Sequence, residues 1–219
     1  MPRLLFEKTG NAVWISHLDL MRLFQRAFKR ACLPLKHTQG FNPRPSVSIA
    51  LPLSVGVESQ CELLDFELEG MEIPCEEILA RLNPVLTEGV RVLKVYNDGQ
   101  KLKHLALMKC CVTLDYDTGI RGDDLAKIRE LFGRKELIVE KKGKNGPTDQ
   151  DIIPMIRSLE VSAPDDNHVV LNGLICCQNP TLNPMQLAAA ISTYLPELKS
   201  DFVRCRRLEI YDTQETIFR

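Results

Sequence analysis

The chain has 219 residues, a formal net charge of -1, and 44% hydrophobic against 26% charged residues. These proportions exclude wholesale disorder and fibrous architectures, and no apolar run approaches the roughly 20 residues that cross a bilayer. The neutrality is a cancellation: residues 1–50 carry eight Lys and Arg against Glu7 and Asp19, a net of +6, whereas residues 51–100 carry three against ten carboxylates, a net of -7. Segregated charge of this kind points to a polyanion-facing side.

The N-terminus MPRLLFEKTG lacks the apolar stretch of a secretory signal, so a cytoplasmic location is expected. RLLFEK (3–8) and the short AVWI (12–15) read as strand material around the turn residues Thr9, Gly10 and Asn11. Ser16 is a good N-cap with Asp19 three residues on, and Leu20, Leu23, Phe24, Ala27, Phe28 and Ala31 repeat at the spacing of one buried helical face. Pro34 is expected to stop that helix. SVSIALPL (46–53) and CELLDFELEG (61–70) are strand-like, the second alternating Leu64, Phe66 and Leu68 against three carboxylates. CEEILARLNPVL (75–86) predicts a helix with Ile78, Leu79 and Leu82 inward, and VRVLKVY (90–96) a strand.

The second half repeats this order. LALMKCCVTLDY (105–116) is a strand, 123–132 a helix and ELIVEKK (136–142) an extended segment leading through a Gly/Lys loop. Strands follow at 155–163 and 167–177, then a helix over 182–195 with Pro184 near its start, where a missing N–H costs least, and a last strand at 202–212. Two successions of β-α-β-β-α-β predict an α+β protein of two tandem ferredoxin-like modules with antiparallel sheets, residues 1–98 and 104–219, joined through the polar segment NDGQKLKH.

On a helical wheel Arg22, Arg26, Lys29 and Arg30 fall opposite the apolar stripe of the first helix. Such a face neutralises phosphates at several points, or else is the solvated side of an amphipathic helix. In HTQGFNPRPSVS (37–48), Pro43 and Pro45 hold Asn42 and Arg44 extended, so the loop presents its side chains stiffly. Arg44 is a bidentate phosphate donor, and Phe41 offers a surface on which a base can stack. His17, at the start of the helix, is a candidate general acid or base for RNA cleavage, with a capping histidine as the plainer alternative. Lys141, Lys142 and Lys144 in KKGKNGPTDQD add cations on what reads as a flexible tip.

The eight cysteines form no C-x-x-C pair and read as free thiols of a reducing compartment. Cys110-Cys111 and Cys176-Cys177 fall on strands expected to be neighbours, so one thiol of each doublet is a candidate to share a face, but the spacing is not that of a zinc ribbon. Walker, dinucleotide-binding, HExxH and GxSxG motifs are absent from the sequence. No metal site or cofactor is expected.

The ordered run FEKTG, ISHLDLMR, RAFKRACLP and GFNPRPSVSIALPLSVGVES resembles the N-terminal signature of the bacterial radical SAM-linked protein family, and KKG followed by DIIPMIRSLEV extends the resemblance into the second half. The resemblance implies a bacterial accessory to a radical SAM enzyme; the chain itself lacks the CxxxCxxC motif that holds the cluster in those enzymes. The paired modules also look like the RNA-processing endonucleases of CRISPR systems, whose glycine-rich C-terminal loop has no counterpart in FVRCRRLEIYDTQETIFR. The expected function is a non-catalytic module that binds RNA, tRNA or rRNA, and presents it to a radical SAM partner. The alternatives are a module docking directly on that partner, or an RNA endonuclease using His17.

Overall fold

Two compact units, Met1–His104 with Phe218–Arg219 and Leu105–Ile217, divide the computed structural model, which describes residues 2–70, 72–143 and 146–219. The fold is mixed α and β, with antiparallel sheets and four α-helices among the described residues.

In the first unit β1 (Arg3–Lys8) is followed by α1 (His17–Arg30), β2 (Val47–Ala50), β3 (Val57–Phe66), α2 (Cys75–Leu82) and β4 (Val90–Tyr96). The strands lie in the order β4-β1-β3-β2, every neighbouring pair antiparallel. The alternation of β1 sends Leu4 and Phe6 into a core shared with Phe24, Ala27 and Phe28 of α1, Leu64 and Phe66 of β3, and Ile78 and Leu82 of α2. Aromatic pairs tie the helix to the sheet: Phe6 meets Phe24 edge-on at 4.7 Å between ring centroids, and Phe28 lies 4.9 Å from Phe66. Such pairs add about 0.5–1.5 kcal/mol beyond the area they bury.

Three local expectations change here. AVWI is not a strand; Gly10–Trp14 forms a 3-10 turn, because Gly10 adopts φ +54° and the Val13 and Ile15 carbonyls are taken by Lys8 rather than by a neighbouring strand. Helix α1 ends before Pro34 is reached: Cys32 turns to φ +54° and the Leu33 amide reaches back to the Phe28 carbonyl, closing the last turn. Strand β2 stops at Ala50, where Leu51 at φ +50° breaks the extended run.

The second unit comprises β5 (Leu105–Asp115), α3 (Gly122–Phe132), β6 (Ile138–Gly143), β7 (Gly146–Asp151), β8 (Ile156–Asp165), β9 (His168–Cys176), α4 (Met185–Tyr194) and β10 (Phe202–Asp212). Its sheet runs β10-β5-β9-β8, again antiparallel throughout. Strand β9 alternates strictly between buried Val169, Leu171 and Ile175 and half-buried neighbours, and Ile128, Leu131, Leu187 and Ile191 supply the buried faces of the two helices. The segment expected as a Gly/Lys loop is in large part a strand pair, β6 lying antiparallel to β7. The dipeptide Asn145-Gly146 is a hairpin signal that the polar sequence of β7 masked.

Candidate nucleic-acid interface

Helix α1 carries the densest row of cations. Its N-terminus is fixed by Ser16, whose Oγ accepts the Asp19 amide at 3.2 Å and donates to Asp19 Oδ2 at 2.7 Å. That hydroxyl bond, followed by Arg22 at 3.0 Å, holds the Asp19 carboxyl below its ordinary range. With Leu20, Phe24, Ala27 and Phe28 buried, the 3.6-residue period turns Leu18, Arg22, Arg26 and Lys29 to solvent. Successive members of this row are one turn, about 5.4 Å, apart along the axis.

The expected site residues do not all share this row. Arg22 is paired with Asp19, while Arg26 and Lys29 are exposed and form no ion pair among the described residues. Arg30 donates to the Val85 carbonyl beyond α2, so its guanidinium ties the helix to its own unit. Arg44 and Phe41 project from a separate hairpin. There the Thr38 amide donates to the Arg44 carbonyl at 2.8 Å, Thr38 Oγ1 accepts the Arg44 amide at 3.0 Å, and His37 bridges to Pro45. The hairpin leaves the Arg44 side chain exposed and Phe41 wholly in solvent, and among the described residues no contact joins either to the α1 cations. His17 is half-buried and has no hydrogen-bond partner among the described residues, so nothing orients it as a general base is oriented.

In the second unit Lys141 Nζ donates to the Thr181 carbonyl at 3.3 Å. Lys144 and the Lys142 side chain lie outside the described residues. The cysteine doublets are offset by register: Cys110 faces Gly173, whereas Cys176 faces Leu107, three residues away along β5, or about 10 Å. Burial pushes the Cys110, Cys177 and Cys205 thiols up to about 12, which keeps them protonated, and no metal-ligating cluster occurs among the described residues. A cleft of about 670 Å³ in the first unit is lined by Lys36, Glu67, Ile73 and Cys75 among others; Lys36 and Glu67 neutralise each other at 3.0 Å, so it concentrates no ligand chemistry.

Sequence reasoning missed Trp14. Read as a strand residue, it instead ends the 3-10 turn ahead of α1 and is 64% exposed. The signal was available in β1, where the inward phase Leu4, Phe6 places Lys8 in the core, so that its ammonium must find acceptors close by.

No helix among the described residues is long and apolar enough to cross a membrane. A comparison with the curated proteins finds no match. Among solved structures, the chain is similar over 95% of its length to 48% of a chain in a Cbf5-Nop10-Gar1 complex, at 9% identity and TM-score 0.54. A second likeness, at 8% identity and TM-score 0.50, covers 94% of this chain and 46% of a chain in an H/ACA RNP bound to a substrate RNA containing 2'-deoxyuridine. At these identities the likeness is one of fold, and the chain spans about half the length of the structures it matches. The family model for an uncharacterized protein conserved in bacteria (DUF2344) matches residues 2–184, and the chain belongs to that family.

Proposed function

We propose that the chain is a non-catalytic RNA-binding module that presents RNA to a radical SAM partner, with Arg22, Arg26 and Lys29 of α1 as its phosphate contacts and Arg44 as a further one. The observation that carries the reading is the solvent row on α1, in which Arg26 and Lys29 have no carboxylate to satisfy them. Cations free of internal partners are available to release counterions from a polyanion. The fold shared with part of an RNA-bound particle supports RNA as that polyanion. The radical SAM partner follows from the sequence resemblance alone. The repeated strand orders, β4-β1-β3-β2 and β10-β5-β9-β8, support the finer reading of two tandem ferredoxin-like modules.

Titration with total cellular RNA tests the proposal. With about four phosphate contacts, affinity is expected to fall about 100-fold between about 50 and 200 mM salt. Arg26→Glu should weaken binding on the order of tenfold. Absence of binding at low salt removes the idea. A second reading, docking of this face on an acidic surface of the radical SAM protein itself, is favoured by the exposure of Leu18 among the cations. Co-purification that survives nuclease treatment and is lost in Arg26→Glu would select it.

A further inference from the structure

The backbone around Trp14 is held from three sides while its ring is left in solvent. Lys8, 1% exposed, donates from Nζ to the Val13 carbonyl at 3.1 Å and to the Ile15 carbonyl at 2.8 Å, the two carbonyls that flank Trp14. The Gly56 amide donates to the same Val13 carbonyl at 2.9 Å, and Gly56 offers so little bulk that a β-carbon there would lie 3.5 Å from the indole edge. Behind the turn, the Thr9 amide donates to the Gly89 carbonyl at 2.8 Å. Burying an ammonium is among the costlier things a fold does, and here its hydrogen bonds go to fixing the backbone of one exposed aromatic residue. An indole serving only to fill space would be inside; this one is rigidly presented.

What lies beside it gives the chemistry. Trp14 precedes α1 by two residues, and Leu18, Arg22 and Arg26 then follow at four-residue steps along the solvent face of the helix. An aromatic face at the head of a row of cations is the combination that binds unpaired nucleic acid, in which bases offer open π-faces and phosphates recur at regular intervals; in a duplex the bases are stacked on one another and have no free face for an indole.

We propose that Trp14 is a base-stacking platform, and that the ligand of this face is a single-stranded stretch of RNA whose base lies on the indole and whose phosphates run along Arg22, Arg26 and Lys29. The assignment rests on the polyanion reading above and adds to it the strandedness of the RNA and the residue that grips a base.

Trp14 is the only tryptophan in the chain, so intrinsic fluorescence reports on this site alone. A short single-stranded oligouridylate is expected to quench the emission of the full chain. Inorganic polyphosphate, which has the charges and no bases, is expected to bind without quenching. By anisotropy of a labelled oligouridylate, Trp14→Ala should lose affinity on the order of tenfold, with Trp14→Phe recovering most of it and polyphosphate competing equally in all three proteins. Unchanged RNA affinity in Trp14→Ala, or quenching by polyphosphate as deep as by RNA, overturns the stacking assignment and leaves the polyanion reading standing. If neither polymer binds at low salt, both are overturned.

Discussion

Lys8 shows at the scale of one residue how this chain spends stability to shape a surface. Its Nζ bonds two backbone carbonyls, and Glu62, itself 1% exposed, offsets part of the burial that pushes the ammonium pKa below the usual lysine value. Lys8→Met removes the donor and leaves a buried carboxylate and two carbonyls to be satisfied, so it should destabilise the chain by about 2–4 kcal/mol in urea unfolding. The pH dependence has a definite sign. The unfolded lysine, near 10.5, holds its proton to higher pH than the folded one, so this group's contribution rises as pH climbs through the folded value toward 10.5 and is lost as pH falls. The stability gap between wild type and Lys8→Met should therefore be wider just below pH 10.5 than at neutrality. The basic residues of α1 were legible because a helical period sorts side chains into faces; Trp14 was not, because its setting depends on a hydrogen bond from Lys8 to carbonyls that every residue possesses.

Helix α1 was readable almost in full, since its cap, its apolar spacing and its polar face all state the same thing. The connections were harder. The 10–15 turn depends on Gly89, where φ is +81° and an added β-carbon would sit 2.3 Å from the Thr9 carbonyl oxygen and 2.9 Å from Ala12 Cβ. Gly89→Ala must move the turn or break the Thr9–Gly89 bond, a cost of about 1–3 kcal/mol, and because Trp14 ends that turn, the emission maximum of the free protein should shift as well. The 37–45 hairpin was foreseen as stiff on account of its prolines, yet its order comes equally from Thr38, which both donates to and accepts from Arg44. Thr38→Val should leave the helix row intact and speed amide exchange at Arg44 on the order of tenfold, corresponding to a net loss of about 1 kcal/mol. Strand β7 escaped notice because GPTDQD has neither β-branched residues in number nor alternation, and only its pairing with β6 makes it a strand.

Across the whole chain, the mixed α and β class and the recurrence of six element types in each half were written in the periodicities. What no local pattern announced is that the last residues return to the first unit. Phe218 is fully buried there, with the Arg3 guanidinium 5.6 Å above its ring, and the Arg219 carbonyl accepts the Gln100 amide. Arg3 is in turn fixed by Asp65 and by the Gln100 carbonyl at 2.9 Å. Phe218→Ala should cost about 3–5 kcal/mol by thermal or urea unfolding, a core-sized penalty from a residue next to the end of the sequence. The same return sets an order on synthesis. A ribosome releases the segment bearing α1 long before residue 218, so the nascent N-terminal unit waits with a phenylalanine-sized gap beside Arg3 until translation is finished; the unit made first is the one completed last, and the cationic row reaches its final support only in the full-length chain.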